Sequence, residues 1–509
     1  MKVLDSVEGR LEESDPPHHP PSLRRLDAFT HDMADLVLGA GGNLKAEHGT
    51  GRAMAPFVER QYGPELYEVM RELKALCDPH GILNPGVVIS DDATVHVRDF
   101  KANPPVEEEV DRCVECGYCE PVCPSQDLTL TPRQRITVRR ARAAAEQAGD
   151  AQLARRLAQQ ETYDSVQTCA VDSMCRTACP LGIDTGALVK RLRAEGAGPV
   201  ATAGWGAAAA AWGPVTRGAS VALSVAAAAP AVVTGMTDLG RMLLGEDLVP
   251  RYGADLPGGG RGRARLAGLV GGGEGPPRAV WVPACVNSMF GGSDGPGVTD
   301  AMVMLLERAG VRVLVPDAIE SLCCGTPWSS KGMRAGHARV VARVRRELAA
   351  LGVGHDVPVI SDATSCTQGF AGVLAADGWT VEDATTFVAR EALPHLAVRR
   401  RLASVVLHPT CSSVQLGIDG DIATIAAAFA EDVVTPLDWR CCGFAGDRGL
   451  LHPELTASAT AREAHEVAAR HVGAYAAANR TCEIGMARAT GRPYRHVLEL
   501  LAEATTTGW

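Results

Sequence analysis

The central part of this 509-residue chain is organised around Cys113-Val-Glu-Cys116-Gly-Tyr-Cys119-Glu-Pro-Val-Cys123-Pro124. The four thiols of this stretch are separated by two, two and three residues and are followed by proline. With this spacing, three thiolates can bind one iron-sulfur cluster while the fourth reaches a second cluster. The stretch therefore predicts a second set of cysteines that completes both clusters.

That second set is Cys169-Ala-Val-Asp172-Ser-Met-Cys175-Arg-Thr-Ala-Cys179-Pro180, in which aspartate replaces the second cysteine. In two-cluster bacterial ferredoxins, the fourth cysteine of each set binds the other cluster. The first cluster, 4Fe-4S, is therefore assigned Cys113, Cys116, Cys119 and Cys179. The second is assigned Cys123, Cys169 and Cys175, with Asp172 at its open corner. A carboxylate oxygen holds soft iron less firmly than thiolate does. The second cluster is therefore expected to be 3Fe-4S or aspartate-ligated 4Fe-4S. Zinc is the alternative, which the repeated frame disfavours.

The composition limits the class of protein. The chain is 46% apolar and 22% charged, which is typical of about three globular domains. A net charge of −10, without a basic cluster interleaved with aromatics, argues against nucleic-acid binding. The 16 cysteines have metal-ligand spacings and no signal peptide opens the chain, so we expect a reducing, cytoplasmic compartment.

The most apolar run extends from Gly218 to Gly235, is mostly alanine and contains Pro230. A membrane-spanning helix needs about 20 strongly apolar residues. The run therefore predicts a packed helix pair, and peripheral contact with the inner face of the cell membrane is left open.

Residues 1–25, rich in Pro, His and Glu, are predicted to be a disordered lead-in. Residues 26–92 contain Glu47-His48-Gly49-Thr50-Gly51, then an amphipathic helix, then Asp78-Pro79-His80-Gly81-Ile82-Leu83-Asn84-Pro85-Gly86. The glycines beside Thr50 would let the backbone approach a flat ligand, with a carboxylate and an imidazole supplied by Glu47 and His48.

Together these two motifs resemble the C-terminal segment of the FAD-linked oxidase family. The resemblance implies that His48 faces the flavin and a 2-hydroxy-acid substrate, that Glu47 lies beside it, and that Asn84 belongs to the segment that closes over FAD. The family's FAD-binding domain is not recognised before this segment. The chain is therefore expected to be a truncated or split form whose flavin site is incomplete.

Residues 105–200 form the predicted two-cluster domain, and its insert from 132 to 160 resembles the helical arrangement of succinate dehydrogenase and glycolate oxidase iron-sulfur subunits. The arginines of this insert are predicted to form a solvated face rather than a docking site: Arg133, Arg135, Arg139, Arg140 and Arg142. Residues 201–256 are predicted to be helical, and the Gly-rich residues 257–277 are predicted to be a linker.

From residue 278 onward, short β runs alternate with helices, which predicts an α/β layer. One cysteine frame occurs twice, as Cys285, Cys323, Cys324 and Cys366 in residues 278–400 and as Cys411, Cys441, Cys442 and Cys482 in residues 401–509. In each Cys-Cys-Gly the glycine relaxes the turn, so that both thiols can point at one metal centre. An iron-sulfur cluster, structural zinc and metal-free thiols all remain open.

This duplicated frame resembles the cysteine-rich domain of heterodisulfide reductase and of the glycolate oxidase and glycerol-3-phosphate dehydrogenase iron-sulfur subunits. In heterodisulfide reductase each copy ends in Cys-x-x-Cys, whereas Gly369 and Gly485 stand at the last position here. This difference argues against a disulfide-cleaving cluster. The nearby His337, His408 and His452 are predicted to be structural rather than ligands.

The expected fold is thus multidomain α+β: a remnant of an FAD-linked oxidase, a mainly helical ferredoxin module and a duplicated α/β cysteine-rich domain. This order resembles the fused FAD and iron-sulfur D-lactate dehydrogenases. The resemblance implies an oxidoreductase in which a 2-hydroxy acid reduces flavin, His48 assists, and electrons leave through 4Fe-4S clusters to a quinone or cytochrome. The alternatives are the electron-transfer subunit of a split glycolate oxidase-like complex, inactive without a separate flavoprotein subunit, and a heterodisulfide reductase-like thiol oxidoreductase.

Overall fold

The computed structural model describes residues 20–45, 49–99, 105–292 and 294–505. The chain divides into two compact units, Met1–Pro104 and Pro105–Trp509. Glu47 and His48, the predicted flavin-side residues, lie outside the described residues.

The first unit is helical. Its elements are α1 (Pro20–Gly39), a 3-10 turn (Ala55–Phe57), α2 (Val58–Tyr62), α3 (Pro64–Cys77) and a 3-10 turn (Val95–Val97). Residues 20–25 of the predicted disordered lead-in therefore belong to α1, because proline is well tolerated in the first turn of a helix. Buried His96 fastens the end of the unit to α1, since its Nε2 lies 2.9 Å from Asp27 Oδ1.

The turn after α3 is organised by Asp78. Its carboxylate accepts hydrogen bonds from Lys74 Nζ at 2.6 Å and from the backbone N–H groups of Ile82 at 3.1 Å and Leu83 at 2.8 Å. The bond from Lys74 is the main reason that the pKa of Asp78 lies below its ordinary value. The apolar side of α3 and of this turn is exposed, through Leu66, Val69, Leu73, Leu76, Ile82 and Leu83.

The second unit begins with the helices that surround the first cysteine groups. They are α4 (Pro132–Gln147), α5 (Ala151–Glu161), a π-helical turn (Thr162–Gln167), α6 (Met174–Ala178), α7 (Thr185–Glu195), α8 (Pro199–Ala210), α9 (Trp212–Ala228) and α10 (Pro230–Leu244). A capping box starts α4: the Thr131 side chain accepts from the Gln134 backbone, and the Gln134 side chain accepts from the Thr131 backbone.

The apolar run Gly218–Gly235 forms parts of α9 and α10, which meet at a break at Ala229. None of the described helices is by itself long and apolar enough to cross a membrane. Only α9 and α10 taken together reach that length and composition, and the two are bent by 119°.

Two sheets form the rest of the second unit. The elements around the first sheet are β1 (Gly268–Gly271), β2 (Val280–Trp281), α11 (Cys285–Met289), α12 (Val298–Ala309), β3 (Arg312–Val315), α13 (Thr326–Ser330), α14 (Arg334–Ala350), β4 (Val359–Ser361), α15 (Thr364–Leu374), β5 (Val381–Asp383) and α16 (Ala384–Phe387). Those around the second are β6 (Leu402–Leu407), α17 (Cys411–Leu416), α18 (Asp419–Phe429), β7 (Ala430–Val434), α19 (Arg448–Leu451), α20 (Pro453–Ala468), β8 (Ala474–Ala477), α21 (Arg480–Thr490), β9 (Tyr494–His496) and α22 (Val497–Ala504).

The strand order is β1-β3-β2-β4-β5 in the first sheet and β7-β6-β8-β9 in the second. All pairs are parallel except β1 with β3. Apart from β1, the two orders match strand for strand. One continuous core joins the sheets and contains Val280 of the first and Val405 of the second.

The predicted Gly-rich linker, residues 257–277, is packed structure rather than a free connection. Its last part includes β1, and Arg263 is buried, donating to the carbonyls of Pro283 at 2.6 Å, Glu320 at 3.1 Å and Leu322 at 3.1 Å. A Cβ at Gly260 would overlap the carbonyl oxygen of Asn287, so the absence of a side chain permits close approach here. The low complexity therefore reflects tight packing.

Candidate metal centres

The first predicted cluster set converges on one cavity, lined by Cys113, Cys116, Cys119 and Cys179. Ile136 of α4 and Ile183 supply apolar walls. The loop folds tightly because Glu115 and Gly117 adopt positive φ angles of 58° and 87°. Cys116 is exposed, so the cavity reaches the surface, while burial raises the pKa of the Cys119 thiol to about 11.

The second predicted set, Cys123, Cys169 and Cys175, is buried. Burial is the main cause that raises the thiol pKa values of Cys123 and Cys175. Arg135 of α4 lies among these thiols: its Nη1 is 3.9 Å from Cys123 Sγ, and its Nη2 donates to Ser125 Oγ at 2.7 Å. Burial lowers the pKa of this guanidinium, but attraction to the thiolates of Cys169 and Cys123 outweighs that effect and raises the pKa above its ordinary value.

The predicted solvated face of arginines is wrong for Arg135 and Arg140, which are buried. Arg140 donates to Glu115 Oε1 at 3.0 Å and to the carbonyls of Asp111 and Cys113, both at 3.1 Å. A guanidinium tolerates burial when acceptors meet its donors, and a cysteine loop offers many. The short connection from Cys123 to Thr131, which brings α4 against this loop, was the available sequence signal.

Arg193 of α7 has a similar role and was missed by the sequence analysis. Its Nη2 donates to the carbonyls of Val166 and Cys169, both at 2.8 Å, and its Nη1 to the carbonyl of Ser330 at 2.8 Å. It therefore ties the second cysteine loop to α13 of the first sheet. Burial and the nearby Arg448 lower its pKa to about 9.

Asp172 lies between the second set and the second cysteine frame. The charge of its carboxylate raises the pKa values of the nearby Cys123 and Cys175 thiols. The Gln415 side-chain amide donates to the backbone carbonyl of Asp172. Burial raises the pKa of Asp172. The structure thus puts Asp172 near the predicted open corner and also in contact with the second frame.

Parallel strands explain how each frame assembles. Cys285 and Cys366 follow the neighbouring strands β2 and β4, and Cys411 and Cys482 follow β6 and β8. Because the carboxyl ends of parallel strands meet at one edge of the sheet, these thiols come together there. The Cys-Cys-Gly loops follow β3 and β7, the next strands along, and reach the same edges.

In the first frame, Cys285 Sγ lies 3.8 Å from Cys323 Sγ. Hydrogen bonds from the thiols of Cys323 and Cys366 hold the pKa of Cys324 well below its ordinary value. Gly325 has φ of 87°, a left-handed conformation that lets the chain turn immediately after the cysteine pair. All four thiols are buried.

In the second frame, Cys442 Sγ lies 3.3 Å from Cys482 Sγ, and the Cys441 thiol is hydrogen-bonded to Cys411. Interactions with the thiols of Cys441 and Cys482 and with the nearby imidazole of His408 hold the pKa of Cys442 well below its ordinary value. Burial opposes a charge on His408, but the charge of Glu463 and the interaction with Cys442 outweigh it and raise the His408 pKa to about 10.

The three histidines near the frames differ in their surroundings. His337 packs against Gly325, and burial lowers its pKa. His452 lies between Asp247 at 2.9 Å and Glu454 at 3.2 Å, which suits a structural ion pair. Among the three, His408 has a ring nitrogen that lies within 4.8 Å of two frame sulfurs, those of Cys442 and Cys482.

Gly369 and Gly485 lie beside the frames, where the related pattern has its last cysteine. A Cβ at Gly369 would be 3.0 Å from Cys324 Cβ and 2.6 Å from Thr326 Oγ1, so a fifth side chain would not fit without movement. At Gly485 the nearest frame atom, Cys442 Cβ, would be 3.7 Å away, an ordinary contact. In this sequence neither frame has a fifth thiol.

Polar contacts join the two frames. Thr364 Oγ1 lies 2.8 Å from Thr410 Oγ1, and Gln368 Nε2 donates to Gln415 Oε1 at 2.6 Å. Gln415 in turn bonds Asp172. The second cluster set and both frames are therefore neighbours within one compact unit.

The donor sets suit metal centres, since each frame gathers soft thiol donors that are buried, apart from the half-buried Cys411. Asn84, the remaining flavin-side residue, is exposed and has φ of 44°.

Three family models match successive segments of the chain. The model for the C-terminal domain of FAD linked oxidases matches residues 16–88, the 4Fe-4S dicluster domain matches residues 109–183, and the cysteine-rich domain matches residues 279–370. The chain thus joins a flavin-oxidase segment to an iron-sulfur module and a cysteine-rich module, and the resemblance drawn from its motifs is confirmed.

Curated relatives extend this result. The chain is 33% identical over 75 residues to glycolate oxidase subunit GlcD of Bacillus subtilis, which is 15% of this chain and 16% of that protein. It is 34% identical over 73 residues to a probable mitochondrial D-lactate dehydrogenase of Danio rerio, 14% of this chain and 15% of that protein. It is 26% identical over 228 residues to D-2-hydroxyglutarate dehydrogenase of Pantoea ananatis, 34% of this chain and 22% of that protein. The chain therefore spans less than a quarter of each of these relatives.

Replacement of Arg135 by Gln removes the positive charge beside the second thiol set. An anionic cluster is then harder to reduce, so we expect its midpoint potential to fall by roughly 60 mV, the equivalent of a tenfold change for one electron. EPR-monitored redox titration of the anaerobically purified chain measures this. Arg156→Gln, at an exposed position on α5, is the matched control. A potential equal to that of the parent would contradict the assignment of Arg135 to this site.

Replacement of Asp172 by Cys supplies the missing thiolate of the second set. We expect a changed low-temperature EPR spectrum of the second cluster, with an all-thiolate 4Fe-4S signal. Asp238→Cys adds a thiol at an exposed site on α10 and should leave the spectrum as it is. If Asp172→Cys also leaves it unchanged, Asp172 is not at the open corner.

Proposed function

We propose that this chain is the iron-sulfur electron-transfer part of an FAD-dependent 2-hydroxy-acid dehydrogenase. The observation that carries the proposal is the packing of the thiol sites of the second unit against one another, above all the hydrogen bond from the Gln415 side chain, on the helix that begins at Cys411, to the backbone carbonyl of Asp172. Iron-sulfur clusters carry single electrons, whereas flavin accepts electrons in pairs, so neighbouring cluster sites suit an enzyme that links flavin to a one-electron acceptor. D-lactate is the proposed substrate and a quinone or cytochrome the proposed acceptor. Relatives named as D-lactate dehydrogenases support this choice of substrate.

The first cluster site is the proposed point of electron entry. Cys116 is exposed, and Val114 and Tyr118 beside it are 62% and 67% exposed. The second site is buried and lies next to Asp172, toward the second frame. An exposed first site and an enclosed second one support transfer from the surface inward.

The flavin side of the proposal includes His48 and Glu47 as catalytic residues and Asn84 as a flavin contact. The exposed apolar face of α3 and its following turn supports a flavin-binding domain that docks on the first unit, because exposed apolar patches mark interaction surfaces. That domain could be supplied by the same polypeptide or by a separate subunit. In the second case the chain is an electron-transfer subunit that is inactive without its flavoprotein.

We also propose that the two α/β layers are an internal duplication and that each frame holds a metal centre, an iron-sulfur cluster in at least one of them. The matching strand orders and cysteine positions support the duplication. Structural zinc is the alternative for each frame. Four gathered thiols suit both metals, so the donor set alone favours neither.

The decisive measurement is made on chain purified without oxygen. We expect iron and sulfide in amounts that exceed two cubane clusters, and reduction of an artificial dye by D-lactate once flavin and the flavin-binding domain are present. Iron without flavin or activity supports the subunit alternative. Zinc in place of iron at Cys113, Cys116, Cys119 and Cys179 would overturn the proposed function.

A peripheral membrane contact through α9 and α10 is part of the proposal, because a quinone acceptor lies in the membrane. The exposed apolar residues of this helix pair support it: Val221, Val225, Val232, Met236, Leu239, Met242, Leu243 and Leu244. Together these helices offer an apolar surface that an interfacial site requires.

The double variant Met236→Asp and Met242→Asp tests this contact. Burial of each methionine contributes about 1.5–3 kcal/mol, so binding to lipid vesicles should fall at least tenfold in a co-sedimentation assay. Leu437→Asp is the control, since Leu437 is 94% exposed but belongs to a loop of the second sheet. Equal binding by the double variant and the parent would contradict the contact.

A further inference from the structure

His408 lies at the second cysteine frame in a setting that differs from that of an ordinary core histidine. It follows β6, three residues before Cys411, and is 1% exposed. One ring nitrogen and the sulfurs of Cys442 and Cys482 all lie within 4.8 Å of one another. His408 therefore stands at the distance from two thiols at which a metal ion could bridge all three.

Glu463 fixes the orientation of the imidazole. This buried carboxylate, on α20, is 2.8 and 3.0 Å from His408 Nδ1 through its two oxygens. With Nδ1 occupied, Nε2 is the nitrogen that faces the thiols, and it has no conventional hydrogen-bond partner among the described residues. A carboxylate behind one ring nitrogen and a free second nitrogen is the arrangement typical of histidine that binds a metal.

The first frame has neither a histidine nor a glutamate at the positions that correspond to His408 and Glu463. Val282 stands three residues before Cys285, where His408 stands before Cys411. When Glu347-Leu348-Ala349-Ala350 is aligned with Glu466-Val467-Ala468-Ala469, Glu463 corresponds to Val344. Both valines are 1% exposed.

A purely structural role explains this difference poorly. Two buried valines fill the same places in the first sheet, and a buried charged pair is often no more stabilising than apolar residues of similar size. The pair occurs only in the copy whose Gln415 side chain donates to the backbone carbonyl of Asp172, beside the second cluster set. The polar pair is thus best explained by something that the second frame binds and the first does not.

We propose that His408 binds, through Nε2, the metal centre of the second frame, so that this centre has mixed thiolate and imidazole ligands while that of the first frame has thiolates alone. The inference rests on the proposed metal binding by the frames. The ligated group is a zinc ion or an iron-sulfur cluster, and the distinguishing feature is a directly bound nitrogen. If the group is an iron-sulfur cluster, replacement of thiolate by imidazole raises its reduction potential, as in clusters with histidine ligands.

The test compares the full chain with the double variant His408→Val and Glu463→Val. This variant reproduces the pair found in the first sheet and leaves no buried charge without a partner. Pulsed EPR of the reduced, anaerobic protein should detect a strongly coupled 14N nucleus in the parent and lose it in the variant. For a zinc centre, X-ray absorption at the zinc edge should lose its nitrogen scatterer in the same comparison.

Three further variants separate the possible failures. Cys324→Ser with Cys366→Ser alters only the first frame and should leave the nitrogen signal intact. His408→Cys with Glu463→Gln should keep the metal, through a new thiolate, and abolish the nitrogen signal. Metal bound in the second frame of the parent without a coupled nitrogen would overturn the role of His408 and leave the proposed function standing. A metal content that Cys442→Ser does not change would overturn metal binding by the second frame, and the role of His408 with it.

Discussion

Thiolates are anionic, and a protein interior that gathers many of them must offset their charge or lose stability. In the second unit, buried cationic or hydrogen-donating side chains lie beside the thiols and offset their negative charge. Arg135 lies beside Cys123, Arg263 attracts the thiolate of Cys285, and a ring nitrogen of His408 lies within 4.8 Å of the Cys442 sulfur. Each of these groups is itself buried, and each is held by acceptors that neighbouring segments supply.

The same requirement explains why segments that look like connections are packed. Arg263 can accompany Cys285 only if residues 257–277 lie against the first sheet, and its three carbonyl partners belong to the loops that follow β2 and β3. Arg193 likewise joins the cluster loop at Cys169 to α13. The same kind of buried arginine thus offsets the charge of the thiolates and holds the ferredoxin module against the α/β layers.

The sequence predicted the structure best where the metal-ligand candidates are close together along the chain. The gaps between Cys113 and Cys123 dictate a shared site whatever surrounds them, and the alternation of strands and helices after residue 278 follows from short-range patterns. The burial of Arg135 and the pairing of β1 with β3 depend on contacts with distant segments. Composition alone predicted solvent-exposed arginines in the first case and a linker in the second. His408 is similar, because one histidine near a cysteine is uninformative until Glu463, 55 residues later, is known to lie behind it.

Asp172 shows how one substitution in a ligand frame can connect two sites. Cysteine has a single sulfur and, as a ligand, would be committed to its own cluster. A carboxylate has two oxygens, so the side chain at this position can remain near Cys123 and Cys175 while its charge also raises the pKa of the Cys441 thiol. The bond from Gln415 to the Asp172 backbone holds the loop against the second frame, and Gln415 also bonds Gln368 of the first sheet. Asp172, the proposed weaker iron ligand, therefore lies at a contact between the ferredoxin module and the helix that begins at Cys411 of the second frame.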